Sequence, residues 1–399
     1  MGILRTASFA LVGYALFAAF RFVIGLMLPG ITSEFQLSPV ESGFFASAPL
    51  LSTVFTTGVA GYISDRIGRK LMFTMSTLVL WLAALLSSLS PNYILALLFI
   101  FIAGAGAGCL PPTIYSIMGN LRPRSRGSLV GITASTYNFG GFAGSVGLGL
   151  VITLYGWRLG LAALSGLGLV YLPVMLLFMD STSNSQLSKT AVKASTFSYL
   201  GLLRSRNTLL AGASLFMAAY ASFVIVSWTP TYLIHIGIEP ALTGVLVGAF
   251  SLAGGAGAIV SGRLADARGE KRIMMTTGTA AGVVSIPLYL LRLNFSSVLV
   301  LMVLFGFLFW PYWNLATSMV QRLVDPAHVG SITGLVQNIG IAGGFVGPIF
   351  AGLLINYYGF ELAMIGSVAV PLFLYALLVI PFRASNHDTA HGTDPSTGA

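Results

Sequence analysis

The stretch Thr6 to Leu28 (TASFALVGYALFAAFRFVIGLML) is 23 residues of apolar or small side chains. As a helix it is long enough to cross the roughly 30 Å hydrocarbon core of a bilayer. Inside it stands one full charge, Arg21. Placing an arginine near the middle of a membrane helix costs at least ~2.5–3.5 kcal/mol on insertion scales. A chain that keeps one there has either a use for it, facing a water-filled path and holding an anion, or a route for it to snorkel to the surface. The run is too long for a signal peptide, and Pro29-Gly30-Ile31 after it is no small-residue cleavage site, so the first segment reads as a retained span.

Eleven further hydrophobic segments follow, near 42–63, 71–89, 93–118, 128–153, 159–179, 208–233, 242–262, 273–291, 296–320, 330–355 and 362–382. Only 8% of the 399 residues are charged and 56% are hydrophobic, against about 25% charged in a soluble domain. The expected class is therefore an all-α membrane protein of twelve transmembrane helices. The short connections are rich in Pro, Gly and charge, as breakers between spans should be. The lone Cys109 excludes an intrachain disulfide.

Charge placement predicts the orientation. With a cytoplasmic N-terminus, the inner segments carry Arg5, Arg66, Arg69, Lys70, Arg122, Arg124, Arg126, Lys189, Lys193, Arg204, Arg206, Arg263, Arg268, Lys271, Arg272, Arg322 and Arg383, which is 17 of the 20 Lys and Arg. Only Arg158 and Arg292 fall outside, and Arg21 lies within the membrane. Both ends are then expected in the cytoplasm, with the protein in the cell (inner) membrane. The net charge of +9 is a topology signal and calls for no nucleic-acid partner.

The polar stretch from Asp180 to Asn207 divides the chain. It suggests an N-terminal six-helix bundle (1–180), a cytoplasmic linker (181–207), a C-terminal six-helix bundle (208–383) and a cytoplasmic tail (384–399). Phe197 to Arg206 reads as a short helix on the membrane surface. The two halves repeat. A shift of 201 residues brings Pro29 onto Pro230, Pro39 onto Pro240, Gly61 onto Gly262, Asp65 onto Asp266, Gly68 onto Gly269 and Lys70 onto Lys271. A shift of 203 brings Gly141-Phe142 onto Gly344-Phe345 and Tyr155-Gly156 onto Tyr358-Gly359. Corresponding spans share an orientation, so this is a parallel repeat about an axis along the membrane normal, a transporter architecture. Arg21 falls opposite Ser222, and a charge present in one half only favours function over scaffold.

Between the second and third spans lies Gly61-Tyr-Ile-Ser-Asp65-Arg66-Ile-Gly68-Arg69-Lys70, and the second half repeats it as Gly262-Arg-Leu-Ala-Asp266-Ala-Arg268-Gly269-Glu-Lys271-Arg272. Its glycines are expected to admit close approaches and turns, and Asp65, at a helix C-terminus, needs a cationic partner. With twelve spans, a central loop and this motif in both halves, the chain resembles the major facilitator superfamily over nearly its whole length. The resemblance implies a cytoplasmic latch of Gly61, Asp65, Arg66, Gly68, Arg69 and Lys70, echoed by Gly262, Asp266 and Gly269. The chain is also similar to the anion:cation symporter branch of that family, in Trp228-Thr-Pro230-Thr-Tyr232-Leu and in Asn338 to Pro348. That likeness implies transport of organic anions such as sugar acids, with Arg21 contacting the substrate carboxylate. The branch has an Asp-Arg pair where this chain has Phe20-Arg21, and the aspartate is the residue implicated there in proton coupling.

The chemistry of Arg21 agrees, since a guanidinium offers a planar fork of donors that matches a carboxylate. Tyr14, Phe17 and Gly25 share its helical face. Further residues expected to line the path are Tyr137 and Asn138 on the fifth helix and Tyr220, Trp228 and Tyr232 on the seventh. Trp310, Trp313, Asn314 and Thr317 are expected on one face of the tenth, and Gln337 and Asn338 on the eleventh. Packing, interfacial belts and helix–helix hydrogen bonds account for such residues equally well. Pro111-Pro112 reads as packing and a kink.

Glu34, Glu41, Glu239 and Glu361 fall at outer ends, and Asp65, Asp180, Asp266, Glu270 and Asp325 at the inner surface, so no carboxylate is expected inside a span. The pattern contains no phosphate loop, metal-ligand cluster or nucleophile–base spacing. It points away from an enzyme and calls for no cofactor and no metal. The expectation is a monomeric secondary transporter that takes a small mono- or dicarboxylate by alternating access, with symport of a proton, exchange and uniport all open. Export of drugs or amphipathic solutes by the same superfamily is the alternative.

Overall fold

A computed structural model describes residues 2–121, 126–178, 206–322 and 329–382. The expected tail, the linker short of Arg206, Arg122 and Arg124 lie outside these residues. Every described regular element is an α-helix. The first four are α1 (Gly2–Phe35), α2 (Pro39–Ile67), α3 (Arg69–Ser88) and α4 (Tyr93–Leu121). The helical stretch Arg126–Phe178 reverses at Gly156 into α5 (126–155) and α6 (157–178). The second half runs α7 (Arg206–His235), α8 (Pro240–Arg268) and α9 (Glu270–Leu290). Its tenth crossing is two helices, α10a (Phe295–Phe309) and α10b (Tyr312–Arg322). The stretch Val329–Val379 reverses at Gly359 into α11 (329–358) and α12 (360–379).

Among the described residues nine helical stretches are long and apolar enough to cross a membrane, and two of these, of 47 residues each, are the reversing pairs. Counting each pair as two, and adding the 29-residue α2, gives the twelve crossings expected from the sequence. Both ends of the described chain lie on one side of the bundle, here the near side; the opposite side is the far side.

The repeat read from the sequence is built into the turns. Gly68 (φ 92) and its mate Gly269 (φ 83) separate α2 from α3 and α8 from α9. Gly156 (φ 84) and its mate Gly359 (φ 78) reverse α5 into α6 and α11 into α12. The far-side turn after α7 uses Gly237 (φ 95), and the matching turn after α1 puts Gln36 at φ 52, a left-handed conformation that a side chain makes unfavourable. Lysine reinforces the repeat on the near side. Lys70 Nζ donates to the carbonyl of Leu176 at 3.2 Å, and Lys271 Nζ to those of Ile380 at 2.6 Å and Phe382 at 2.9 Å. In each half a lysine at the start of the third helix thus satisfies carbonyls at the end of the sixth, where the helix dipole favours a cation.

Side-chain hydroxyls tie helices together inside the first half, where lipid offers no partner for a backbone group. Pro112 lacks the N–H that would bond the Gly108 carbonyl, and Thr57 Oγ1 of α2 donates to that carbonyl at 3.1 Å. Ser52 and Thr53 bond the carbonyls of Phe101 and Gly104 in the same way, at 2.6 and 3.1 Å.

The sequence expects an unbroken tenth span, and the structure breaks it at Trp310-Pro311. Pro311 cannot donate to the ladder and its ring displaces the preceding turn, so α10a ends with the Trp310 N–H on the Gly306 carbonyl and bonding resumes from Leu315 to Pro311. Gly262 also departs from expectation: nothing lies within 4 Å of the position a Cβ would occupy, so it admits no close approach.

The two glycine roles can be separated by experiment. Gly359 has φ 78 and ψ 171, a region that costs a side chain about 1–3 kcal/mol. Gly359→Ala should lower the melting temperature of the purified protein. Gly262→Ala, in open space within a helix, should leave it unchanged or raised.

Candidate functional site

Arg21 sits where the two halves meet. One turn further along α1, Gly25 crosses α7 so closely that a Cβ would overlap the Val226 carbonyl. That crossing brings Phe223 of α7 under the arginine, with Arg21 Cζ 4.5 Å from the ring centroid. A cation over an aromatic face is attracted by the ring quadrupole, more so when desolvated. Tyr137 of α5 presents its hydroxyl to the guanidinium, and Tyr312 and Tyr14 stand further round it. Arg21 Nε is buried with no hydrogen-bond partner. A buried donor left unpaired carries a desolvation penalty of about 1–3 kcal/mol, more for a charged group.

The surroundings are a set of rings from both halves. Tyr14 packs on Phe17 and Tyr137, each at 5.6 Å between centroids, and meets Tyr115 of α4 edge-on at 6.0 Å. Tyr137 touches Phe22 at 6.2 Å and Trp310 at 5.9 Å, and Trp310 touches Phe22 at 6.0 Å. Trp310 is the last residue in phase with α10a, its N–H still on the Gly306 carbonyl, and the ladder breaks immediately after it at Pro311. Tyr312 begins α10b, packs tilted against Phe309 at 4.9 Å and faces Ser222. Ser222 is the residue opposite Arg21 in the repeat, so the two equivalent positions address one cluster.

The residues named from sequence divide by location. Arg21, Tyr14 and Tyr137 come together. Trp313 stands edge-on to Tyr312 at 6.0 Å and turns toward Gly340 of α11, while Asn314 is exposed. The expected shared face of Trp310, Trp313, Asn314 and Thr317 does not form, because the Pro311 break resets the helical phase. Gln337 and Asn338 are half-buried on α11. Asn138 is buried at the α5–α8 seam, its side-chain amide on the Ala134 carbonyl, its own backbone carbonyl accepting from Ser251, and its Oδ1 unpartnered. Trp228 lies apart, donating through Nε1 to the Pro348 carbonyl at 2.9 Å and meeting Phe360 edge-on. Tyr220 and Tyr232 turn toward their own half, facing Ser367 and the Tyr289 carbonyl.

Sequence reasoning missed Phe22, Phe223 and Tyr312. A signal existed for Tyr312, since Pro311 forbids an unbroken phase through the tenth span. For Phe22 and Phe223 there was none, because an apolar ring in an apolar span looks alike on every face.

Among the described residues the close approaches between the halves run from the middle of the bundle to the far side. Beyond Gly25, a Cβ on Gly43 would meet the Pro348 carbonyl, one on Gly352 the Pro39 carbonyl, and one on Gly149 the Cα of Gly244. The far ends of each half are pinned separately. Arg158 holds Glu34 through two bonds of 2.7 and 2.9 Å and the Ser88 carbonyl at 2.7 Å, and Trp157 Nε1 donates to Glu34 at 2.7 Å. In the second half the mates of Glu34 and Arg158 are His235 and Glu361, 3.9 Å apart, with Arg292 at 3.4 Å from the carboxylate. The carboxylate moves from the first helix of the half to the sixth, and the position of the pair is kept.

The motif between the second and third helices of each half lies on the near side. Gly68 and Gly269 make its turns, and Lys70 and Lys271 the caps described above. The side chains of Gly61 and Asp65 lie outside the described residues. Arg66 and Asp266 are exposed and Arg69 is half-buried. Glu270, which the sequence places at the inner surface, is buried at the first turn of α9, where it accepts from Ser318 of α10b at 2.8 Å. Among the described residues no group of His, Cys, Asp and Glu could hold a metal.

The profile of the Major Facilitator Superfamily matches residues 10–348. The chain is 22% identical to a hexuronate transporter of Bacillus subtilis over 85% of each protein. It is 22% identical to a benzoate transport protein of Acinetobacter baylyi over 84% of this chain and 79% of that one. Its fold overlays the inward-open xylose transporter of E. coli with a TM-score of 0.77 at 15% identity, covering 95% of this chain and 96% of that one.

The α1–α7 crossing yields a direct test. Gly25→Leu should separate the helices at the site and lower the melting temperature, at the roughly 1–3 kcal/mol typical of overpacking. An unchanged melting temperature would show that α1 and α7 do not meet at Gly25.

Proposed function

We propose, from the premise that the chain belongs to the Major Facilitator Superfamily, that it carries a small organic acid across the membrane with Arg21 holding the carboxylate. It is an integral multi-pass membrane protein and a transporter rather than an enzyme, with a small molecule as its cargo. The observation that carries the proposal is the unpaired Nε of Arg21 at the seam between the halves. A carboxylate would accept from that donor, return the desolvation cost of the buried Nε of this half-buried arginine, and do so where motion of the halves would expose the site to either side. The named substrates of the two relatives, hexuronate and benzoate, share a carboxylate and little else.

The placement of the seams supports alternating access. Among the described residues the approaches at Gly25, Gly43, Gly149 and Gly352 join the halves from the middle of the bundle to the far side, and on this reading the substrate exchanges with solution through the near side. With both chain ends in the cytoplasm, as the lysine and arginine distribution favours, this is an inward-facing arrangement. The described residues of the cluster include no carboxylate, so a co-transported proton would travel on the substrate itself or on a group elsewhere. The chain boundary between the two six-helix units is read at 181–207, and the monomer as the working unit.

Purified protein titrated with carboxylates tests this. Arg21→Gln should weaken binding about 10- to 150-fold, the equivalent of ~1.5–3 kcal/mol for a hydrogen bond to a charged group. Arg21→Lys should fall between, since it keeps the charge and loses the planar fork. Undiminished carboxylate uptake into vesicles by Arg21→Gln would end the anion role, and stabilisation by cationic drugs instead would favour the exporter reading.

A further inference from the structure

We infer that the acid carried is a flat, conjugated monocarboxylate, of which benzoate is the simplest example, and not a sugar acid. This rests on the reading that Arg21 holds a carboxylate, and it specifies what the rest of the site can accept. The first argument is planarity. A carboxylate that takes both prongs of a guanidinium lies in the guanidinium plane. When the carboxylate is conjugated to a ring or a double bond, the remainder of the molecule lies in that same plane. The Arg21 guanidinium is seated over the Phe223 ring at 4.5 Å. A conjugated acid on that guanidinium brings its own flat aromatic face next to the Phe223 ring, where ring–ring contacts are favoured. A sugar ring is a puckered chair with hydroxyls on its edges and offers these rings no such face.

The second argument is a count of hydrogen-bonding groups. A hexuronate brings four or more hydroxyl groups, as counted from its general chemistry, and each must find a partner or pay for its desolvation. The side chains round Arg21 are mainly rings: Phe17, Phe22, Tyr137, Trp310 and Phe223. The polar groups among them already face one another. Tyr137 faces Arg21, Tyr312 faces Ser222, and Tyr14 faces Tyr115. Ser251 bonds the Asn138 carbonyl, and the Asn138 amide bonds Ala134. Among the described residues of the cluster, what remains unpartnered is Asn138 Oδ1, Trp310 Nε1, the hydroxyl of Tyr375 beside Tyr312, and Arg21 Nε itself. Trp310 Nε1 lies against α8 at Gly254. This set suits one carboxylate and at most one or two further polar groups, and it leaves a polyol unsatisfied.

The experiment is a binding panel on the full-length purified protein with benzoate, cyclohexanecarboxylate and glucuronate, repeated with Tyr137→Leu and Tyr137→Phe. Cyclohexanecarboxylate has the same charge and nearly the same size as benzoate, without the plane. The expected result is benzoate at least tenfold tighter than cyclohexanecarboxylate, and no measurable binding of glucuronate at concentrations that saturate with benzoate. Tyr137→Leu should erase the difference between the two ring acids, and Tyr137→Phe should keep it. Equal binding of benzoate and cyclohexanecarboxylate, or glucuronate binding that Arg21→Gln removes, would overturn the planar-acid inference and leave Arg21 as the carboxylate site. Binding of none of the three would overturn the carboxylate reading, and this inference with it. The wild-type panel decides the matter even where a Tyr137 variant does not fold.

Discussion

The structure depends on one charge kept at the middle of an apolar bundle. Arg21 is tolerated because the α1–α7 crossing at Gly25 presents it with the face of Phe223, and α5 with the hydroxyl of Tyr137. Neither partner neutralises it. Aromatic faces and phenols reduce the cost of burying a cation, and they leave Nε without a hydrogen-bond partner, a donor that the proposed carboxylate would satisfy. The charge thus couples the halves. The ring beneath it belongs to the second half and the helix that bears it to the first, so any motion that separates α1 from α7 changes what the guanidinium faces.

Around this seam the repeat supplies rigidity. Paired glycines at 68 and 269, and at 156 and 359, turn the chain at equivalent places, and paired lysines at 70 and 271 hold the ends of α6 and α12. The far-side pins show how a repeat can keep geometry while changing chemistry: Glu34 with Arg158 in one half, His235 with Glu361 in the other. Such contacts lie within each half and stiffen it as a body. The tightest approaches between the halves are made by glycines against carbonyls and Cα atoms, beside the ring contacts of Phe22 and Tyr137 with Trp310.

Much of the fold was legible in the sequence. Twelve apolar runs, the two shifts, and the glycines that the shifts align predict the crossings and the turns where they occur. The turn at Gln36 is legible only by comparison with Gly237, since glutamine itself gives no sign of a positive φ. The site was legible in part. Arg21 announces itself by cost, and Tyr14 follows from it by helical spacing. Phe22 and Phe223 could not be found, because periodicity marks a face only when polar and apolar residues alternate round the helix, and these helices are apolar all round. Trp228 illustrates the converse. Its polar handle suggested a lining role, and the structure spends that N–H on the Pro348 carbonyl. The tenth span failed for a local reason: Pro311 shifts the phase, so residues placed on one face by counting are divided between two helices.

The measurement that bears most directly on this account is a structure of the protein with an aromatic carboxylate bound. The account predicts the carboxylate against the Arg21 guanidinium, at hydrogen-bonding distance from Nε, with the ring of the acid among Phe223, Tyr137 and Trp310. An acid bound elsewhere in the bundle, with Arg21 still seated on Phe223 and Nε still unpaired, would contradict it.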